Sequence, residues 1–94
     1  MPLKELLKNP LATLLDVREE EELKDEKSIP GAVSIPMKEI PFRLEEIREL
    51  SSPLIIFCRS GNRSRSVVGY LKSQGFTNLY DGGSFKRIIE LLKP

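Results

Sequence analysis

Residues 53–64 read PLIIFCRSGNRS. The first half of this stretch is apolar on both faces, which predicts a strand in the interior of a parallel sheet. The second half carries small, polar and basic residues, and it predicts a tight loop that leads into a helix near Ser64. Cys58 stands where the strand meets the loop. Ligands of open α/β sheets bind beyond the carboxyl ends of the strands, so this position favours a reactive thiol over an inert, buried one.

Short apolar runs alternate with helical patterns on both sides of this stretch. The alternation predicts an α/β fold with a four- to five-stranded, mostly parallel sheet and helices on both faces. Further strands are expected at residues 13–17, within 29–36, at 78–80 and, as a short fifth strand, near the N-terminus. Helices are expected at residues 19–25, from Pro41, from about Ser64 to a stop at Gly75, and at 85–92. A turn is expected at residues 81–83.

The composition is that of a single globular domain over residues 1–94. Apolar residues make up 39% and charged residues 31% of the chain, which is ordinary for such a domain. No apolar run approaches the ~20 residues that span a bilayer, and the first residues lack the apolar core of a secretory signal. One cysteine and no histidine exclude an internal disulfide and a zinc site. We expect a cytoplasmic monomer with no membrane partner, no cofactor and no metal.

The net charge of +1 conceals two stretches of opposite sign. Residues 16–27 carry seven acidic and three basic side chains, and we interpret most of them as a solvated helix face. Residues 51–80 carry four basic side chains and no acidic one. This basic stretch is too small for a nucleic-acid interface, which needs a broad Lys/Arg surface. It is better suited to a small anion.

The predicted loop can activate a thiol without histidine. Gly61 and Asn62 tolerate unusual backbone angles, so the loop can turn successive N–H groups inward. The N-terminus of the next helix and the charges of Arg59 and Arg63 add positive potential. Such surroundings lower the pKa of a cysteine and favour the nucleophilic thiolate. We therefore predict that Cys58 is ionised near neutral pH.

Four segments of the chain resemble the single-domain rhodaneses, a family of sulfurtransferases that carry a cysteine persulfide. The matching segments stand in the family's order: LLDVRE (14–19), IPGAVSIP (29–36), PLIIFCRSGNRS (53–64) and LKSQGFTNLYDGG (71–83). The cysteine loop on its strand is the most specific of them. The resemblance implies a five-stranded parallel sheet flanked by helices.

The resemblance also implies a reaction. Cys58 would take a sulfane sulfur from thiosulfate or another persulfide donor, and a thiol or protein acceptor would collect it. The loop residues would cradle the substrate and the persulfide: Arg59, Ser60, Gly61, Asn62, Arg63 and Ser64. Arg63 closes the loop and is expected to face the anionic end of the donor. Asp16 and Arg18 match the family's DVR segment, and we expect a buried pair that organises the end of the sheet.

The chain departs from the family pattern at two positions, since Ser28 and Phe85 stand where many relatives have histidine and tryptophan. Two alternative functions remain open. A cysteine phosphatase of related fold would place five residues between the cysteine and the phosphate-binding arginine, whereas four separate Cys58 from Arg63. A non-catalytic interaction module is the other alternative, although such modules often lack the cysteine.

Overall fold

The computed structural model describes residues 2–25 and 28–94. The described residues form one sheet of four parallel strands: β1 (Thr13–Asp16), β2 (Val33–Ser34), β3 (Leu54–Cys58) and β4 (Leu79–Ser84). Their order across the sheet is β2-β1-β3-β4. β3 is thus an interior strand and all five of its residues are buried, as its apolar sequence predicted.

Five α-helices and one 3₁₀ helix accompany the strands within the described ranges. The α-helices are α1 (Leu3–Lys8), α2 (Glu20–Asp25), α3 (Leu44–Arg48), α4 (Asn62–Ser73) and α5 (Phe85–Leu92). The 3₁₀ helix spans Met37–Phe42 and precedes α3. None of these helices is long and apolar enough to cross a membrane.

Helices cover both faces of the sheet, and each face has its own apolar core. On one face, Ile56 of β3 packs with Ile40 of the 3₁₀ helix and with Leu71 of α4. On the other face, Ile55 and Phe57 of β3 pack with side chains of α1 and α5. The alternation of the β3 side chains between the two clusters explains why the whole strand is apolar. The predicted α/β architecture is confirmed.

Helix α4 ends where the sequence predicted. Gly75 adopts a positive φ of 92°, a conformation that glycine adopts without the steric penalty of a side chain. The N–H of Gly75 donates to the carbonyl of Lys72 at 3.1 Å, and the N–H of Phe76 donates to that of Leu71 at 3.0 Å. These two bonds satisfy carbonyls that would otherwise lack partners at the helix end.

Three local predictions were wrong. Residues 3–8 form α1 rather than a strand. Pro41 lies inside the 3₁₀ helix instead of opening an α-helix, since that helix ends at Phe42 and α3 begins only at Leu44. Residues 81–83 form the end of β4 rather than a turn, because pairing with β3 continues there across an irregularity in register.

Candidate active site

The loop after β3 wraps its main chain around the sulfur of Cys58. The N–H of Gly61 donates to Sγ at 3.0 Å, and the N–H of Ser64 donates to it at 3.3 Å. Gly61 has a φ of 98°, and this left-handed conformation, unfavourable for most side chains, lets the loop turn back toward Cys58. Cys58 has no exposed surface, so contact between a donor and its sulfur requires some movement of the surrounding residues.

Two opposing effects act on the ionisation of Cys58. Burial raises the pKa of the thiol, because it disfavours the charged form. Hydrogen bonds from the N–H groups of Ser64, Gly61 and Ser60 and from the hydroxyl of Ser64 lower it. Together the hydrogen bonds outweigh burial, and the pKa of Cys58 lies below its ordinary value. The hydrogen-bond donors that lower the pKa of Cys58 therefore all belong to its own loop.

The hydroxyl of Ser64 links this loop to β4. Its Oγ lies 2.7 Å from Oδ1 of Asp81 and 3.1 Å from the carbonyl oxygen of Gly61. The same Oδ1 of Asp81 accepts from the N–H of Gly83 at 3.0 Å. A hydroxyl has one hydrogen to donate, so the carboxylate of Asp81 competes with the sulfur of Cys58 for it. Ser64 is fully buried, and this contact fixes the first turn of α4 against the end of β4.

Arg63 is held by an acidic partner from another element. Its Nη1 and Nη2 atoms donate to Oε1 and Oε2 of Glu22 on α2, at 2.5 and 2.8 Å. Oε1 of Glu22 also accepts from the N–H of Glu19 at 2.9 Å. The hydrogen bonds with Arg63 lower the pKa of Glu22 to about 2 and raise the pKa of Arg63. The guanidinium predicted to face a donor anion thus already faces a carboxylate.

The other predicted loop residues lie around the rim. Arg59, Ser60 and Asn62 are exposed, and Gly61 is half-buried. Asn62 is the first residue of α4, so the helix begins two residues before the predicted position.

Asp16 and Arg18 form a buried pair at the carboxyl end of β1, beside β3. Both residues are 0% exposed. Nε of Arg18 lies 3.0 Å from each carboxylate oxygen of Asp16, and Nη2 lies 2.8 Å from Oδ2. The guanidinium also lies over the ring of Phe85, 4.2 Å from its centroid, which is a favourable cation–π arrangement. Phe85, noted above as a departure from the family pattern, thus packs on the pair that the sequence placed at the end of the sheet.

Two residues of this region were not singled out by the sequence. Glu22 was included in the solvated acidic run, yet its side chain is only 17% exposed. Glu22 follows Glu19 by three residues, which is the spacing of a capping contact at the N-terminus of a helix. This spacing indicates that Glu22 is more than a surface charge. Asp81 had no such local signal. Over the described part of the chain, no cluster of acidic, cysteine or histidine side chains could hold a metal ion.

Comparisons with known proteins identify related sequences and structures. The family model of the rhodanese-like domain matches residues 2–86. YtwF of Bacillus subtilis (strain 168), provisionally named a sulfurtransferase, is 44% identical over 74% of this chain and 67% of its own length. The thiosulfate sulfurtransferase GlpE of Pseudomonas syringae pv. syringae (strain B728a) is 36% identical over 77% of this chain and 68% of its own. The crystal structure of a rhodanese-related protein from Thermoplasma volcanium superposes with a TM-score of 0.76, at 34% identity, over 98% of this chain and 88% of that one.

Proposed function

The chain belongs to the rhodanese-like domain family, and on that premise we propose that it is a sulfurtransferase that works through a persulfide on Cys58. One observation carries the proposal. The sulfur of Cys58 lies at the carboxyl end of an interior strand and accepts N–H bonds of 3.0 and 3.3 Å from its own loop. Those bonds favour the thiolate, which is the nucleophilic form of cysteine.

In the first half-reaction, the Cys58 thiolate attacks the outer sulfur of the donor. With thiosulfate, an S–S bond forms to Cys58, the S–S bond of the donor breaks, and its electron pair leaves with sulfite. Cys58 is then a persulfide with one negative charge and sulfite carries two, so the total charge is unchanged. The relative named for thiosulfate sulfurtransferase activity supports thiosulfate as one donor.

In the second half-reaction, an acceptor attacks the outer sulfur of the persulfide. Cyanide gives thiocyanate, and a small-molecule or protein thiol gives a new persulfide; in each case the Cys58 thiolate is restored. The loop residues 59–64 form the cradle in which both halves take place. N–H groups that converge on the sulfur are preorganised to stabilise negative charge there during transfer. A single cysteine that must stay reduced fits a reducing compartment such as the cytoplasm.

Asp16 and Arg18 take a structural role in this proposal. Their carboxylate and guanidinium are directed at one another and are shielded from solvent. Their contribution is to hold the end of β1 beside the end of β3.

Intact-mass measurement after incubation with excess thiosulfate tests the proposal. We expect a mass gain of one sulfur atom that cyanide removes with release of thiocyanate. Cys58→Ser should show no gain, and Arg65→Ala, at an exposed position on α4, should show the same gain as the wild type. Equal labelling of the serine variant, or no cyanide-sensitive gain with thiosulfate or a thiosulfonate, refutes the proposal. Turnover of an aryl phosphate that depends on Cys58 would support the phosphatase alternative instead.

A further inference from the structure

We propose that Glu22 determines which donors this protein accepts, by disfavouring doubly charged donors relative to donors with one negative charge or none. The inference rests on the proposed sulfur transfer, because it concerns the choice of donor for Cys58. Its basis is the contact that Glu22 makes with Arg63 across 41 positions of sequence.

The carboxylate of Glu22 is fixed from two sides. Arg63 donates to both of its oxygens, at 2.5 and 2.8 Å, in the paired geometry that suits an arginine and a carboxylate. The N–H of Glu19 donates to Oε1 from within the same segment of chain, at 2.9 Å. The side chains of Glu22 and Arg63 are 17% and 27% exposed, so water screens this pair less than a pair on the open surface.

The charges of the pair cancel at the mouth of the loop. The carboxylate stays ionised throughout the neutral range, because Arg63 lowers the pKa of Glu22 to about 2. Arg63 belongs to the loop around Cys58 and directly precedes Ser64, whose N–H donates to Sγ at 3.3 Å. Without Glu22, this guanidinium would present a full positive charge at the loop that holds the sulfur. With Glu22, a donor meets a neutral pair.

An anionic donor then has two ways to bind near Cys58. It can displace Glu22 from Arg63, which leaves an ionised carboxylate without its guanidinium, or it can bind beside the intact pair. In both cases the carboxylate offsets the attraction that Arg63 exerts on the donor, by an amount proportional to the charge of the donor. Thiosulfate carries two negative charges, a thiosulfonate carries one, and an alkyl persulfide carries at most one. Glu22 therefore removes the advantage that the charge of Arg63 would give to thiosulfate over thiosulfonate- and persulfide-type donors.

Methanethiosulfonate and thiosulfate form a matched pair of probes. Both place a sulfane sulfur on a sulfonyl group, and a methyl group in one replaces an oxygen anion in the other. Attack by the Cys58 thiolate releases methanesulfinate from the first and sulfite from the second, and leaves the same persulfide. The kcat/KM of each donor, with cyanide as the common acceptor, gives a selectivity ratio for the wild type, for Glu22→Gln and for Glu21→Gln.

We expect Glu22→Gln to raise kcat/KM by about fivefold for each unit of negative charge on the donor. The ratio of methanethiosulfonate to thiosulfate should then fall by about fivefold. Glutamine keeps an oxygen that can accept from Arg63 and from Glu19, so the local fold should be preserved. Glu21→Gln removes the same charge from an exposed neighbour on α2 and should leave the ratio within about twofold of the wild type. An unchanged ratio in Glu22→Gln, or an equal change in Glu21→Gln, overturns the inference.

A second measurement does not depend on sulfur transfer. Iodoacetate and iodoacetamide alkylate the same thiolate and differ by one negative charge. Glu22→Gln should raise the rate with iodoacetate relative to iodoacetamide by about fivefold, and an unchanged relative rate again refutes the role of Glu22. If the wild type takes sulfur from neither donor while the alkylation result holds, the proposed function fails and the charge selectivity of Glu22 stands. If both donors react and neither ratio moves, only this inference fails.

Discussion

Replacing Asp16 with alanine removes the carboxylate that faces the buried guanidinium of Arg18, and we expect a large loss of stability. Both residues are 0% exposed, and the side-chain contacts that disappear are 2.8–3.0 Å long. Removing one partner of a buried pair costs about 3–5 kcal/mol, because the other charge stays in a medium of low polarity. Domains of this size unfold with about 5–15 kcal/mol in total. The expected fall in Tm is about 12 °C or more.

Thermal unfolding followed by circular dichroism measures this loss, with urea unfolding at low temperature as a second determination of the free energy. Glu90→Ala is the matched control. It removes a carboxylate 3.2 Å from Lys93, where the two side chains are 74% and 62% exposed, and it should change Tm by no more than about 4 °C. A double substitution, Asp16→Leu with Arg18→Met, should be more stable than Asp16→Ala alone, because it leaves no buried charge.

Sulfur loading of the folded variant separates a structural role from a chemical one. Below its melting temperature, Asp16→Ala should still gain one cyanide-sensitive sulfur atom from thiosulfate. A Tm close to that of the Glu90→Ala control would contradict the structural role of the pair. A folded Asp16→Ala variant that takes up no sulfur would show that the carboxylate takes part in the reaction itself.

Three other predictions follow from the contacts described above. Gly82→Ala places a methyl group 3.0 Å from side-chain atoms of Ile55 and Ile88 and should lower the free energy of unfolding in urea by about 1–3 kcal/mol. In the control Gly69→Ala, the added methyl group meets nothing within 4 Å, and this variant should be more stable than the wild type by about 0.5–1 kcal/mol. A Gly82→Ala variant more stable than Gly69→Ala would be inconsistent with the packing. Alkylation of Cys58 by iodoacetamide should reach half its maximal rate at a lower pH than that of a free cysteine, because the N–H groups of Ser64 and Gly61 lower the pKa of the thiol; a midpoint at or above that of a free cysteine would contradict activation by the loop. The pKa of Glu22 is lowered from 4.5 to about 2, so its pair with Arg63 stabilises the fold fully above about pH 4.5 and loses this effect as the pH falls to about 2. Over that range Glu22→Gln should lose less stability than the wild type. Identical acid-unfolding profiles of the two proteins would contradict the pairing.

The features that the sequence predicted well depend on local chemistry. An apolar run on both faces is compatible with an interior parallel strand, and β3 is one. Gly75 was recognised as a helix stop, since the positive φ at that point suits glycine. The place of Cys58 at the end of β3 followed from the same strand.

The features that were missed depend on contacts between distant parts of the chain. Glu22 and Arg63 are 41 residues apart, and the spacing from Glu19 to Glu22 indicates a local capping contact but not the pairing with Arg63. Residues 81–83 were predicted as a turn because Asp-Gly-Gly favours turns locally. Pairing with β3 keeps these residues in the sheet instead, and Gly83 accommodates the irregularity with a φ of 78°. Asp81 is thereby directed at Ser64, a contact for which the sequence carried no signal.

Main-chain N–H groups of Gly61 and Ser64 donate the hydrogen bonds of 3.0 and 3.3 Å that the sulfur of Cys58 accepts, and these bonds lower its pKa. Every residue except proline has such a group, whatever its side chain. Over evolutionary time, positions 59, 60 and 62 can therefore change without loss of the thiolate, as long as Gly61 keeps its left-handed turn. The conformation of the backbone is thus enough to keep Cys58 nucleophilic, while the surrounding side chains can change to suit different sulfur donors and acceptors.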